Sequence, residues 1–356
     1  MTMGRGRPSS RRGLARALGL AGVLLAVDTC INDHVIRDAP PNEAAARRRP
    51  LTASERARLT AGAVDVVGGV DRHFVIENET RHDVLLPLLR GRGGAYLGVG
   101  ATQSYTLAAA ADAELVLLVD YDRRIVALHA LAGALFEQAE DPDAWLAWLA
   151  PGRAAALERL LRARLGPVAA APAIALVRGE RPRLRAHFAG LRVKAVDGRP
   201  TTWLADPRLY ATIRDLHRAG RVRALLGDLA GETSMRTIAA ALTSLATPIT
   251  VVYVSNAEES LLGRPSYRRN LEALPRVADA VLLRTIADDA WAPADGLWAY
   301  QAQPIAALLR RLAAAPELRL EDMLAEARRD GAASSGGSVG LTILDAPGAV
   351  ASRRAR

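Results

Sequence analysis

The stretch Ala95-Tyr96-Leu97-Gly98-Val99-Gly100-Ala101-Thr102 decides how this chain folds. Its first part, Ala95–Val99, is a short apolar run typical of a buried β-strand, and a helix is predicted to follow over Thr102–Ala111. The glycines between them, Gly98 and Gly100, let the backbone approach a ligand closely while helix amides point into the gap. The same two glycines are equally typical of a tight turn that packs a helix against a strand.

A second strand ends in a carboxylate at the spacing expected of a nucleoside site. The apolar run Leu115–Val119 is followed by Asp120, which lies 20 residues after Gly100. A carboxylate at this position can accept hydrogen bonds from both ribose hydroxyls of a nucleoside ligand. The apolar spacing of Arg124–Gln138 predicts the helix that returns the chain to the sheet.

Two further strands follow the same pattern, because each ends in polar residues and precedes a helix. Val222–Leu226 ends at Gly227-Asp228, and Ile249–Val254 ends at Ser255-Asn256. This alternation predicts an α/β fold with a Rossmann-like, doubly wound, mostly parallel sheet. Ligands of such sheets bind beyond the carboxyl ends of the strands, so the four polar strand ends are predicted to share one edge.

Asp228, Asn256 and Glu258 are further candidate site residues at that edge. Asp228 can hydrogen-bond an adenine amino group or, alternatively, cap the next helix. Asn256 and Glu258, with the neighbouring Glu259, are candidates for the acceptor side, where a carboxylate acts as a base or binds a cationic substrate. The two glutamates are equally typical of a first helical turn. Asn78-Glu79, upstream of the first strand, either lines the mouth of the site or forms a capping turn.

The layout resembles the Rossmann-like methyltransferases that depend on S-adenosylmethionine and, more narrowly, a group of uncharacterised bacterial proteins with that fold. The resemblance implies S-adenosylmethionine as cofactor, with its methionine portion at Gly98 and Gly100, its ribose at Asp120 and its adenine near Asp228. It covers most of the chain. The stretches that carry it are Ala95-Tyr96-Leu97-Gly98-Val99-Gly100, Leu117-Leu118-Val119-Asp120, Gly227-Asp228-Leu229-Ala230-Gly231, Tyr253-Val254-Ser255-Asn256-Ala257-Glu258 and Tyr300-Gln301-Ala302-Gln303-Pro304.

Two positions depart from the pattern of that class, which usually has an acidic residue at the end of the first strand and a third glycine after the pair. Tyr96 and Thr102 occupy these positions. Three functions therefore stay open: a methyltransferase of unknown acceptor, a non-catalytic envelope protein that keeps the fold, and a nicotinamide dinucleotide oxidoreductase. The last expects a later glycine at position 103, where this chain has Gln103.

The positive charge of the chain lies at its ends. The formal net charge is +9, but residues 1–50 contribute +5 and the last four residues +3, which leaves +1 for residues 51–352. Aromatic residues make up only 4%, so few rings are available to stack on bases. The composition argues against nucleic acid as a partner, and it favours a small-molecule nucleoside with an acceptor substrate that the sequence does not identify.

The amino terminus has the pattern of an export signal. A basic stretch precedes the apolar run Ala17–Val27, which is too short to span a bilayer but suits the core of a signal peptide. Ser10-Arg11-Arg12-Gly13-Leu14-Ala15-Arg16 also resembles a twin-arginine signal. Residues 1–30 are therefore predicted to export the chain or tether it to a membrane, with Cys30 a candidate for lipidation. The alternative is a basic arm of a cytoplasmic protein.

Four segments are predicted along the chain: the leader over 1–30, a linker over 31–55, the methyltransferase-like α/β domain over 56–315, and a C-terminal helix and flexible tail over 316–356. Within the domain, residues 141–205 interrupt the alternation of strands and helices. They are predicted to form a mainly helical insertion that could cover a site.

Inside the insertion, Asp141-Pro142 has the pattern of a helix start, and two tryptophans that are expected to be buried, Trp145 and Trp148, follow at helical spacing. Arg153–Leu165 predicts a second helix, which the glycine–proline pair after it would end. The remainder of the insertion is interpreted as strand and loop. Near the carboxyl terminus, Leu341–Leu344 is a candidate edge strand.

The histidines and the cysteine predict neither a metal site nor a nucleophilic centre. The histidines are scattered, without the spacing typical of metal ligands. His129, on the helix after Asp120, is expected to pack or lie at the surface rather than take part in catalysis. The single cysteine excludes an intramolecular disulfide and a site built from several cysteines.

Fusing residues 1–45 to a reporter that is active only outside the cytoplasm tests the predicted leader. We expect an active reporter, because a basic stretch followed by a short apolar run directs export. The control is the same fusion without residues 1–30, which should be inactive. An inactive reporter in the complete fusion would contradict export.

Overall fold

A seven-stranded sheet organises the protein, whose computed structural model describes residues 48–59, 65, 75–287, 297–329 and 340–345. The predicted leader, with Cys30, lies outside the described residues. The strands are β1 (Ala95–Gly98), β2 (Leu115–Asp120), β3 (Ala195–Val196), β4 (Arg199–Pro200), β5 (Val222–Leu226), β6 (Ile249–Tyr253), β7 (Arg276–Ile286), β8 (Ala299–Pro304) and β9 (Leu341–Ile343).

Helices connect and cover these strands. They are α1 (Ala53–Arg58), α2 (Leu86–Leu89), α3 (Gln103–Ala110), α4 (Arg123–Phe136), α5 (Pro142–Ala147), α6 (Ala154–Arg192), α7 (Pro207–Arg218), α8 (Ser234–Ser244), α9 (Glu258–Leu261), α10 (Pro265–Ala273), α11 (Ile305–Ala314) and α12 (Leu320–Arg329). Short 3₁₀ turns lie at His82–Leu85 and Pro151–Arg153.

The strand order of the sheet is β5-β2-β1-β6-β7-β8-β9. The first five strands are parallel, β8 is antiparallel to β7, and β9 is parallel to β8. With the small β3–β4 hairpin set aside, the first five strands follow the order 3-2-1-4-5 of a doubly wound sheet. The predicted α/β fold with a Rossmann-like, mostly parallel sheet is therefore confirmed, and the candidate edge strand near the carboxyl terminus is β9.

Both faces of the sheet are buried, because successive residues of each strand point to opposite sides. On one face Tyr96 and Leu118 pack with the helices α3, α4, α6 and α7. On the other face Leu97 and Leu117 pack with α8, α10, α11 and α12. A strand buried on both faces is apolar at nearly every position, which is why β2 stands out in the sequence as an apolar run that ends at Asp120.

The folded body begins before residue 56, within the segment predicted as linker. Leu51 is buried, and its amide donates to the carbonyl of Ala219 at 3.0 Å. The helix α1 follows directly, and a reciprocal capping box between Thr52 and Glu55 fixes its start. Leu59, after the helix, is also fully buried in the same core as Leu97.

The insertion contains a helical hairpin. Gly166 has φ 76° and ψ 163°, which interrupts α6 at the predicted position. Arg178 bonds Glu158 across the break at 2.6 Å, although 20 residues of straight helix would separate them by about 30 Å. The chain therefore reverses at Gly166. The interpretation of the following residues as strand and loop was wrong as far as Arg192, because apolar side chains from Ala173 to Leu191 bury at helical spacing despite three prolines. It is confirmed for the rest of the insertion, where β3 and β4 form a hairpin that a loop follows.

The same segment has an apolar stretch. Within residues 151–192, a helical window of 18 residues has a mean hydropathy of 1.5, and 33% of the window is buried in the protein. By length and composition this window could cross a membrane, which is weak evidence of membrane association. The reversal at Gly166 divides the segment into two antiparallel helices.

Replacing the two tryptophans of the insertion separately tests this packing. Trp145 is fully buried, with its ring 4.9 Å from Phe188 and 5.1 Å from Trp203, whereas Trp148 is only half-buried. We expect Trp145→Ala to lower the free energy of unfolding by about 3–5 kcal/mol. Trp148→Ala is expected to cost about 1 kcal/mol. Urea unfolding measures both, and equal losses would contradict the observed packing.

Candidate functional site

A cavity of about 470 Å³ lies at the carboxyl ends of β1, β2, β5 and β6. Four residues named from the sequence line it together: Gly100, Asp120, Asp228 and Asn256. Each of these four residues ends a strand or follows one, and the strand is a different one in each case. The volume is within the range of sites for small molecules and cofactors, and the position is the one at which open α/β sheets bind ligands.

The Gly100 turn is held by neighbours on three sides. Its φ of +78° is in the left-handed region that favours glycine. Its amide donates to Asp120 Oδ2 at 3.1 Å, and its carbonyl accepts from His129 Nε2 at 3.0 Å. A Cβ at this position would lie 2.7 Å from Gln103 Nε2. Any other residue here would therefore strain the turn and displace the Gln103 amide.

His129 supports this turn from the buried side. Its Nδ1 accepts from the hydroxyl of Tyr105 at 2.8 Å, and its Nε2 must carry the proton because the Gly100 carbonyl can only accept. Burial lowers the pKa of His129 to about 4, so the ring is neutral at pH 7. The sequence interpretation anticipated packing, but it missed the hydrogen bond that fixes the Gly100 carbonyl.

Gly98 does not line the cavity. A Cβ on Gly98 would lie 2.6 Å from the Tyr96 ring and 2.8 Å from Ser104 Oγ. The Tyr96 hydroxyl donates to Ser104 Oγ at 3.2 Å, which holds the phenol ring over the glycine. The geometry of Gly98 is therefore that of the alternative in which the glycine packs a helix against a strand.

Asp120 and Asp228 line the cavity from neighbouring strand ends. The Asp120 carboxylate is buried and accepts from the Asp122 amide at 2.8 Å as well as from the turn at Gly100. Asp228 Oδ1 accepts from the Ala230 amide at 2.8 Å, and its Oδ2 pairs with Arg264 at 3.0 Å. Both carboxylates are thus held in place by backbone amides of their own loops.

Asp65, not Asp228, caps the helix α8. Its carboxylate accepts from the hydroxyl and amide of Ser234 and from the amide of Thr233. It also accepts from the amide of Asp228 at 3.1 Å. Burial favours a raised pKa for Asp65, but these hydrogen bonds outweigh it and hold the pKa below its ordinary value. The helix-capping alternative for Asp228 was therefore wrong.

Glu258 points away from the cavity into a buried ion pair. Its side chain is fully buried, accepts from the Tyr267 hydroxyl at 2.9 Å and pairs with Arg284, itself 1% exposed. The sequence-based choice of Glu258 for the acceptor side is corrected by this contact, which leaves the carboxylate no path to a ligand. Its neighbour Glu259 lines the cavity, where partial burial, and then Glu321, raise its pKa.

Glu79 ties the segment before β1 to the far side of the cavity. Its Oε1 accepts from Ser255 at 2.5 Å and Thr285 at 2.6 Å, and its Oε2 accepts from the Tyr253 hydroxyl and from His82 at 3.2 Å. Burial alone would raise the pKa of Glu79, but His82 and the hydroxyl donors hold it below its ordinary value. Asn78-Glu79 lines the cavity as one sequence alternative proposed, but nothing in the sequence indicated these partners.

Glu77 is a second acidic residue of the same segment that the sequence did not single out. Its side chain is 5% exposed, lies 3.1 Å from His187 Nε2, and accepts from Thr102 Oγ1 at 3.4 Å. Burial opposes ionisation, but His187 lowers the pKa of Glu77 below its ordinary value. Thr102, which stands where the related class has a third glycine, thus binds a cavity carboxylate.

The cavity is acidic. Among its described lining residues are five carboxylates, Glu77, Glu79, Asp120, Asp228 and Glu259, and one guanidinium, that of Arg264. The guanidinium is itself paired with Asp228. Within the part of the chain that the structure describes, no group of three or more histidine, cysteine or acidic side chains is arranged to hold a metal ion. The site as built favours a ligand that carries positive charge.

Comparisons with known proteins give a family and distant structural neighbours. A family model described as "Domain of unknown function (DUF7790)" matches residues 74–345. No curated protein matches the chain. Two structures of the rRNA methyltransferase aviRa from Streptomyces viridochromogenes are similar at 17% and 18% identity, covering 67% and 66% of this chain and 83% and 82% of theirs. Their TM-scores are 0.27 and 0.26, so the fold assignment depends on the sheet described above.

Glu258 and Glu259, which are neighbours in α9, allow a matched test of which glutamate is buried in the ion pair. We expect Glu258→Ala to lower the free energy of unfolding by about 3–5 kcal/mol, because it leaves the Arg284 guanidinium buried without a charged partner. Glu259→Ala should change it by less than about 0.5 kcal/mol, since that side chain is exposed at the cavity. Chemical denaturation compares the two, and a stable Glu258→Ala protein would contradict the buried pair.

Proposed function

The chain belongs to the DUF7790 family, and we propose that it is a methyltransferase-like protein that binds S-adenosylmethionine in the cavity at the carboxyl edge of its sheet. The observation that carries the proposal is the convergence of Gly100, Asp120 and Asp228 on one cavity. When bound, the cofactor supplies a methyl group on a sulfonium for transfer to a nucleophile. The acceptor is a second small molecule or group that enters beside it.

The ribose would be held by Asp120. Its carboxylate lies at the end of β2, is oriented by the amides of Gly100 and Asp122, and lines the cavity. A carboxylate in this place accepts hydrogen bonds from vicinal hydroxyls. The glycine turn opposite has no side chain, because a Cβ on Gly100 would lie 2.7 Å from Gln103 Nε2. The glycine therefore keeps the left-handed turn and the Gln103 amide beside it in place.

The adenine would lie between the β2 and β5 loops. Tyr121 and Leu229 line the cavity there and offer apolar surface to a flat ring. Asp228, on the same wall, can accept a hydrogen bond from an exocyclic amino group. Its pairing with Arg264 at 3.0 Å fixes the orientation of the carboxylate.

The sign of the charge in the cavity favours this cofactor over a nicotinamide dinucleotide. A dinucleotide brings a pyrophosphate with negative charge, whereas the described wall of the cavity carries five carboxylates and one guanidinium. Placing like charges together in a partly buried site is unfavourable. A sulfonium and an ammonium, by contrast, gain from the same carboxylates.

The acceptor side would be formed by Asn256 and Glu259, with Ser260 next to them. Glu259 here has the acceptor-side role that the sequence analysis gave to Glu258. Its raised pKa brings it closer to neutral pH, where a carboxylate is a better proton acceptor. Asn256 is exposed at the rim and can hydrogen-bond the acceptor. The protein would mainly position donor and acceptor for direct displacement, with Glu259 receiving the proton that the nucleophile releases.

Isothermal titration of the full chain with S-adenosylmethionine and S-adenosylhomocysteine tests the proposal. We expect wild type to bind both with a Kd below about 1 mM. Asp120→Asn should weaken binding by about 10-fold or more, because charge-assisted hydrogen bonds to the ribose are lost while the amide contacts of the loop can remain.

Asp279→Asn is the matched control, since Asp279 lies on an exposed part of β7 away from this cavity. It should bind as wild type does. Absence of binding by wild type at millimolar ligand would contradict the proposal. Binding that Asp120→Asn leaves unchanged would contradict the ribose assignment.

A further inference from the structure

The bend of the helical hairpin in α6 exposes apolar side chains to water. The stretch Leu165–Val177, called the hairpin tip below, contains no polar or charged side chain. Part of the tip is buried in the core, but the side chains around the bend are exposed: Pro167, Val168, Ala169, Ala171, Pro172 and Ala175. Val168 is 87% exposed, the highest value for a large apolar side chain among the described residues. The tip is thus an apolar surface without a partner in the described protein.

The arms that carry the tip are strongly basic. Residues 153–192 contain nine arginines and two glutamates, a net charge of +7, although residues 51–352 as a whole carry only +1. Both glutamates lie within ion-pair distance of an arginine, Glu158 of Arg178 at 2.6 Å and Glu180 of Arg183 at 3.7 Å. Within the described part of the chain, three exposed arginines of the arms make neither an ion pair nor a hydrogen bond: Arg159, Arg162 and Arg185. The partner that this charge favours is anionic.

The spacing between the apolar tip and the free arginines fits the surface of a bilayer. Arg162 lies three residues before Leu165, which is about 5 Å along a helix. A helix at a membrane surface buries its apolar side about 5–10 Å into the boundary between headgroups and acyl chains. At that depth the Arg162 guanidinium is level with the lipid phosphates, which attract it when the lipid is anionic. A second copy of the chain is a poorer match, because two hairpins of the same charge repel each other.

We propose that the hairpin tip inserts shallowly into the surface of an anionic lipid bilayer. Val168 enters the boundary of the acyl chains, and Arg162 contacts the lipid phosphates. The cavity stays in water, because His187, which contacts Glu77 at the cavity, lies 19 residues after Val168, about 30 Å along a helix. The membrane contact is independent of the proposed cofactor, and it is separate from the predicted leader.

A fluorescent label on the tip tests the proposal in the full chain. Val168→Cys combined with Cys30→Ser leaves a single cysteine, which is labelled with an environment-sensitive dye. Vesicles of equimolar phosphatidylcholine and phosphatidylglycerol should shift the emission to the blue, because the dye leaves water. Val193→Cys in the same background is the matched control, since Val193 is also a valine, is 79% exposed and follows the other end of α6. Its emission should stay as it is without vesicles.

Sedimentation of the unlabelled full chain with the same vesicles measures what each part of the hairpin contributes. Val168→Asp should weaken binding by about 10-fold or more, because a carboxylate replaces apolar carbon atoms at the acyl boundary. Val193→Asp adds the same charge and should bind as wild type does. Arg162→Gln should weaken binding to the anionic vesicles by about 5-fold and leave binding to pure phosphatidylcholine vesicles unchanged. All three side chains are exposed, so urea unfolding of the variants should match wild type.

A label at position 168 whose emission vesicles leave unchanged overturns the proposal, whether or not the chain sediments with them through its leader. Equal responses at positions 168 and 193 also overturn it, because the contact is then not specific to the tip. A blue shift at position 168 that follows protein concentration in the absence of vesicles overturns it in favour of a contact between copies of this chain. Wild-type binding by Val168→Asp contradicts it as well.

Discussion

The buried carboxylate of Glu79 is the interaction on which the site depends. Four donors surround it, two on each oxygen, from Tyr253, Ser255, Thr285 and His82. A carboxylate can be buried only when its charge is met in this way, and four donors occupy its acceptor sites. The contact joins the segment before β1 to the ends of β6 and β7. It therefore holds Ile76, Glu77 and Asn78 along the wall of the cavity.

The sequence predicted the part of the fold that local pattern determines. The strands β1, β2, β5 and β6 are mostly apolar, and the polar residues at or after their ends lie at one edge, as the strand order requires. The sequence pattern did not predict the roles of residues that depend on contacts with distant parts of the chain. Glu258 and Glu259 are identical neighbours, and only the burial of Arg284 separates their roles. The partners of Glu79 are 174 to 206 residues away along the chain, apart from His82, so no spacing could indicate them.

The net charge of the chain does not indicate the charge of its cavity. The distribution of the charge along the sequence is more informative. The +9 charge lies mainly at the ends, while the cavity within the body is lined by carboxylates. The leader, which lies outside the described residues, remains a prediction. It also conflicts with the proposed cofactor, a cytosolic metabolite. An exported chain would have to receive that cofactor before transport or use another positively charged nucleoside.

A crystal structure of the full chain with S-adenosylhomocysteine tests the central claim most directly, because it locates each part of the ligand against a named residue. The account predicts ribose hydroxyls within hydrogen-bond distance of Asp120, the adenine beside Asp228, and the amino-acid portion at the Gly100 turn. A ligand bound elsewhere on the protein, or bound in this cavity with its ribose away from Asp120, would contradict it.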